Sequence, residues 1–134
     1  AVATSSKGTA LASSDVYQCL SIPAESVILH AGMEVTEVLT GTSSDVGYDL
    51  GITGGDVDNF VDGFDADGAS AGAYAPTSAA YAPVIVGAAD TLDILVAAQT
   101  GTTLTGKIRV FATLMDISDA GDMAANEVDR DTLA

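Results

Sequence analysis

The sequence predicts an all-β protein, a single-domain, jelly-roll-like β-sandwich. Three observations carry this: apolar residues alternate with polar ones over short runs, turn residues interrupt those runs every several positions, and no helix-period segment of convincing length appears. A chain of 134 residues is one domain, and folding should bury roughly two-thirds of the surface its unfolded form exposes. Hydrophobic residues make up 48% of the chain and charged residues 17%, so it should fold despite a net charge of −15.

Taken in order, residues 1–14 (AVATSSKGTALASS) are small and polar without periodicity and read as an N-terminal arm. The β-sandwich domain is expected over residues 15–118. Its first strand is VYQCLSI (16–22), followed by a turn at PAES and a long strand, VILHAGMEVTEVL (27–39). In the long strand Val27, Leu29, Ala31, Met33 and Val35 share one parity and Val38 has the other, so a β-bulge is expected at Gly32 or near Thr36. After a turn at GTSS, strand 45–52 alternates strictly. Val46, Tyr48, Leu50 and Ile52 should face the core, and Asp45, Gly47, Asp49 and Gly51 the solvent.

The stretch 54–74, GGDVDNFVDGFDADGASAGAY, holds five aspartates and no basic residue. Phe60, Val61 and Phe64 are too apolar for a flexible tether. Their spacing fits one helical turn, with Asp58 or Asn59 as N-cap and Gly63 or Gly68 as terminator, tucking both phenylalanines against one end of the sandwich. Strands follow at PVIVG (83–87), TLDILVAA (91–98) and LTGKIRVFATLMDIS (104–118). In the last of these Ile108, Val110, Ala112 and Leu114 point one way, and Lys107, Arg109, Phe111, Thr113 and Met115 the other. Phe111, Met115 and Leu95 would be half-exposed on an isolated sandwich. Either part of the outer face packs on a neighbouring subunit, with these three as the interface, or they are scattered surface hydrophobes. Residues 119–134 form an acidic C-terminal tail in which Met123, Val128 and Leu133 are too sparse to define a helix.

The chemistry this chain can perform is narrow. Nineteen acidic residues stand against Lys7, Lys107, Arg109 and Arg130, which argues against nucleic acid as a partner, and the acidic surface repels anionic membranes as well. The acidity is compatible with a saline habitat, because salt screens self-repulsion beyond about 8 Å. No apolar run approaches ~18 residues, and no basic segment precedes one. Cys19, the sole cysteine, cannot form an intrachain disulfide and is expected to be a buried, inert thiol. His30 is the only imidazole; it sits in VILHAG with no GxSxG, HExxH, CxxC or Walker A pattern in the chain. A structural histidine and no catalytic residues are the expectation, since paired carboxylates drawn from so many acids are weak evidence for glycoside hydrolysis.

No cofactor is expected. Calcium is the one candidate, at Asp56, Asp58, Asp62, Asp65 and Asp67. Placing Asp65, Asp67 and Gly68 at the third, fifth and sixth positions of an EF-hand loop puts Gly63 first and Tyr74 twelfth, where acids are required, so that motif fails. A different cation geometry using the same aspartates stays open beside a solvated turn, to which Asp is suited.

IPAESVILHAG (22–32), DNFVDGFD (58–65), AADTLDILVAA (88–98) and GKIRVFATLMDI (106–117), in this order, resemble small structural proteins of tailed phages and cyanophages, including capsid decoration (cement) proteins. The resemblance covers roughly residues 15–118. It implies a homotrimeric sandwich at three-fold or quasi-three-fold positions on the outer surface of an icosahedral head. The major capsid protein would be its partner, and no cofactor or active site would be needed. A head fibre, neck or tail component is the nearest alternative, and a secreted calcium-dependent carbohydrate-binding or adhesion module is the alternative of a different class. The N-terminal arm and C-terminal tail, having no cores of their own, are expected to order on a neighbour.

Overall fold

The computed structural model describes residues 10–78 and 82–118, so residues 1–9 of the arm and the whole tail after 118 lie outside the described residues. Eight strands form: β1 (Val16–Ile22), β2 (Ser26–Gly41), β3 (Asp45–Ile52), β4 (Val61–Asp65), β5 (Tyr74–Ala75), β6 (Val84–Val86), β7 (Asp90–Thr100) and β8 (Thr103–Asp116). Among the described residues there is no helix. One antiparallel sheet has the order β1-β7-β3-β4. In the other, β2 pairs with β8 along one edge and with β5 and β6 along the opposite edge. The two sheets pack face to face as the β-sandwich that the sequence predicts.

The core comes from the inward parity of each strand. Val46, Tyr48, Leu50 and Ile52 of β3 lie beside Leu92, Ile94 and Val96 of β7, facing Ile28, Ala31, Met33 and Val110 across the sandwich. Burying a Val, Leu, Ile or Met side chain contributes about 1.5–3 kcal/mol, so this interlayer is the main source of stability. The end of the arm joins it: Leu11 packs against the core and Ser14 N donates to Val96 O at 2.8 Å.

Local readings change at four points. The long strand β2 is irregular between Ile28 and His30 as well as around Thr36, while Gly32 pairs regularly with Phe111. The bulge at Leu29 resets the parity, so Ile28 is fully buried and Leu29, expected to share a face with Ala31 and Met33, is 42% exposed while those two are buried. On β3 the expected solvated face is instead covered, and every residue from Val46 to Ile52 is buried. Turn residues 53–57 fold back across Gly51, where a Cβ would stand 2.2 Å from Asp56 O, and Asp49 accepts a bond from Gly63 N at 2.7 Å.

The expected helical turn at Phe60–Phe64 is a strand. Phe60 N donates to Leu50 O, Val61 pairs with Leu50 and Phe64 with Tyr48, so β4 extends β3's sheet. The spacing suits a helix, but the open edge of β3 offers backbone partners that one isolated turn cannot supply for itself. Gly63, at φ +68°, takes up the irregularity this pairing needs. Phe60 is buried as expected, and Phe64 packs at the core's edge. Finally, between β5 and β6 the side chain of Thr77 replaces a strand: its Oγ1 accepts from Ala31 N at 2.9 Å and donates to Ala31 O.

Candidate functional site

Directly paired residues of antiparallel strands share a face. Register therefore defines what the β2/β8 sheet presents outward. Successive rows are Met115–Val27–Ile85, Thr113–His30, Phe111–Gly32, Arg109–Glu34–Tyr74 and Lys107–Glu37. The first row is apolar, with Ile85 at 70% and Met115 at 47% exposure on either side of a buried Val27, and the bulge delivers the exposed Leu29 next to it.

The centre is an aromatic row. Phe111 stacks on His30 at 5.9 Å and 20° and on Tyr74 at 5.6 Å and 16°, a geometry that adds about 0.5–1.5 kcal/mol per aromatic pair beyond area burial. Gly32 makes room for it, since a Cβ there would lie 2.8 Å from the Phe111 ring and 2.7 Å from Ala75 O. The far end is polar: Arg109 bonds Glu34 at 3.2 Å and Lys107 bonds Glu37. Both basic residues among the described residues thus lie on this face, each matched by a glutamate. The face is nearly neutral on a chain of net charge −15.

The predicted interface residues are divided by the fold. Phe111 and Met115 lie together on this face, but Leu95 is on the other sheet, beside Val16 and Asp49. The three do not form one surface, because β7 and β8, though consecutive in sequence, belong to different sheets. Sequence reasoning missed Leu29, Tyr74 and Ile85. An exposed aromatic and an isoleucine beside turn residues were visible, but their strand partners were not.

The acidic stretch is dispersed. Asp56 and Asp58, both fully exposed, share a side-chain hydrogen bond that lowers the Asp56 carboxyl from the usual range and raises that of Asp58. Asp62 projects from β4, Asp65 accepts from Asp67 N at 2.9 Å, and Asp67 accepts from Ser43 Oγ at 3.4 Å. Among the described residues no three His, Cys, Asp or Glu side chains converge as a metal-holding group. Cys19 is partly buried, donates to Tyr17 O at 3.2 Å, and has its thiol pKa pushed up, first by burial. It is therefore a poor nucleophile near neutral pH.

Comparison with protein-family models, curated proteins and solved structures finds no match.

Proposed function

We propose that this protein is a non-catalytic structural module that docks on another protein through the outer face of its β2/β8 sheet. We further propose that it serves as a decoration protein on the outer surface of an icosahedral virus head, as a homotrimer bound to the major capsid protein. The observation that carries the docking role is the continuous face from Ile85, Met115 and Leu29 through His30, Phe111 and Tyr74 to two ion pairs. Aromatic residues, Met and Arg around an apolar centre are the composition of protein interfaces. On an acidic protein, it is also the face where a partner meets least repulsion. The virion role is supported by the sequence resemblance over residues 15–118. Such a protein stabilises a shell by binding the assembled lattice and not its free subunits, and a trimer multiplies weak contacts by avidity.

A second reading draws on the same aromatic row. Tyr74, Phe111 and His30 beside Glu34 and Arg109 could seat a sugar ring, as in a secreted carbohydrate-binding module. Immunogold labelling of virus particles concentrated from the source, with light scattering of the pure protein, separates the readings. Gold on heads and a trimer mass support decoration, whereas gold confined to necks or tails moves the protein to another virion role. A monomer that labels no particle but binds a glycan array overturns the proposal. An Ile85→Asp/Met115→Asp variant should fold, since both side chains are exposed, and should fail to label heads.

A further inference from the structure

The stretch 54–74 contains one dipeptide twice, Asp62–Gly63 and Asp67–Gly68, and the fold treats the two copies differently. Asp before Gly is the pair at which a backbone amide most readily attacks the neighbouring side-chain carboxyl, because glycine leaves that amide unshielded and free to rotate. Both glycines have left-handed backbone, φ +68° and +66°, so their own conformation does not separate them. Their hydrogen bonds do. Gly63 lies within β4, and its N–H donates to the buried carboxylate of Asp49 at 2.7 Å. The strand is also held on either side of the dipeptide, at Val61 by Leu50 and at Phe64 by Tyr48. A bond to a carboxylate is among the stronger ones, so Gly63 N must break it and leave the strand before it can react.

Gly68 lies beyond the end of β4 in an exposed turn, closed by Ala69 N donating to Ala66 O at 3.3 Å. Nothing stands within 4 Å of where a Cβ on Gly68 would be, and its N–H has no hydrogen-bond partner among the described residues. We infer that Asp67–Gly68 is a site of spontaneous isoaspartate formation in the folded protein, while β4 protects Asp62–Gly63. Gly68 N bonds to Asp67 Cγ, the bond from Cγ to its hydroxyl oxygen breaks, and the hydroxyl leaves with the amide hydrogen as water, closing a succinimide. Water then opens the ring. Addition at Cγ restores aspartate; addition at the backbone carbonyl breaks its bond to Gly68 N, so that the chain runs through the side-chain carbons and the α-carboxylate is free. No oxidant, metal or enzyme takes part, and net charge is unchanged. The longer backbone displaces the oxygen that accepts from Ser43 Oγ at 3.4 Å, which weakens the tie between this turn and the one joining β2 to β3. The site lies at the end of the β4 edge of the other sheet, so it neither supports nor depends on docking through the β2/β8 face.

The test is to age the full chain at physiological temperature in mildly acidic buffer, with a parallel sample in urea, and to map isoaspartate in peptide digests by electron-transfer mass spectrometry. In the folded sample isoaspartate should accumulate at 67 at least about tenfold faster than at 62, because the strand has to open before Gly63 can react. In urea, where no strand remains, the two rates should converge. Asp67→Glu, whose longer side chain closes a larger and less favourable ring, should remove the signal at its position, and Asp62→Glu should leave the signal at 67 unchanged. Comparable rates at the two positions in the folded protein, or no isoaspartate at 67, overturn the inference. A preference for 67 that persists undiminished in urea overturns it as well, since the selectivity would then belong to the local sequence and not to the fold.

Discussion

The ring of Phe111 occupies the space that a side chain on Gly32 would need, 2.8 Å from where its Cβ would stand. Glycine in a strand normally weakens it, but here it lets an aromatic ring close over the sheet between His30 and Tyr74. The two residues are direct cross-strand partners, so sheet stability and the presented surface depend on one another.

Gly32→Ala should therefore destabilise the fold by about 1–3 kcal/mol, the usual cost of overpacking, although alanine is the better strand residue. The Phe111 ring could swing away, but Ala75 O at 2.7 Å is backbone and cannot move cheaply. Urea denaturation measures the loss; a variant as stable as the parent would contradict this packing.

Phe60→Ala should cost about 3–5 kcal/mol, since the ring is fully buried and its removal leaves a large cavity. Phe60 also carries backbone bonds to Leu50 and Ser78, so the loss should extend to the turn and to β4. Hydrogen exchange should show faster exchange at the Phe60 and Ser78 amides than in the parent.

Tyr48 supplies a pH dependence. Burial first, and neighbouring Tyr17 second, push its phenol up to about 12 from an ordinary value of 10. A group whose folded pKa is raised contributes stability that is complete below its unfolded pKa and is lost as pH rises through the folded value. The parent should lose stability between about pH 10 and 12, and Tyr48→Phe should show a shallower decline over that window. Denaturant midpoints across the range test it; parallel profiles would refute it.

Arg109–Glu34 and Lys107–Glu37 are solvent-exposed pairs, so each should contribute less than about 1 kcal/mol to folding and should weaken with salt. A double-mutant cycle with Arg109→Ala and Glu34→Ala, at low and high salt, measures this. Their larger effect is expected in docking, where Arg109→Glu would make the face as repulsive as the rest of the molecule.

Much of the fold is legible in the sequence because side-chain alternation is local. Val46, Tyr48, Leu50 and Ile52 declare a strand and its core side, and the outward parity of Phe111 and Met115 can be read from GKIRVFATLMDIS. Where the run offers no alternation, the reading fails: in VIL at 27–29 either parity is consistent, and the bulge decides that Ile28 enters the core. The Phe60–Phe64 spacing fits a helix equally well until the free edge of β3 is available to pair with it.

The sequence alone determined an all-β chain, the inward set of most strands, an acidic surface and the absence of familiar catalytic motifs, because each follows from composition or from a two-residue period. Tertiary structure decided which strands share a sheet, and with that the separation of Leu95 from Phe111 and Met115, the row of His30, Phe111 and Tyr74, and the burial of Asp93 beneath the turn after β3. Those depend on partners tens of residues apart, and the backbone bonds that choose between partners are the same for every side chain.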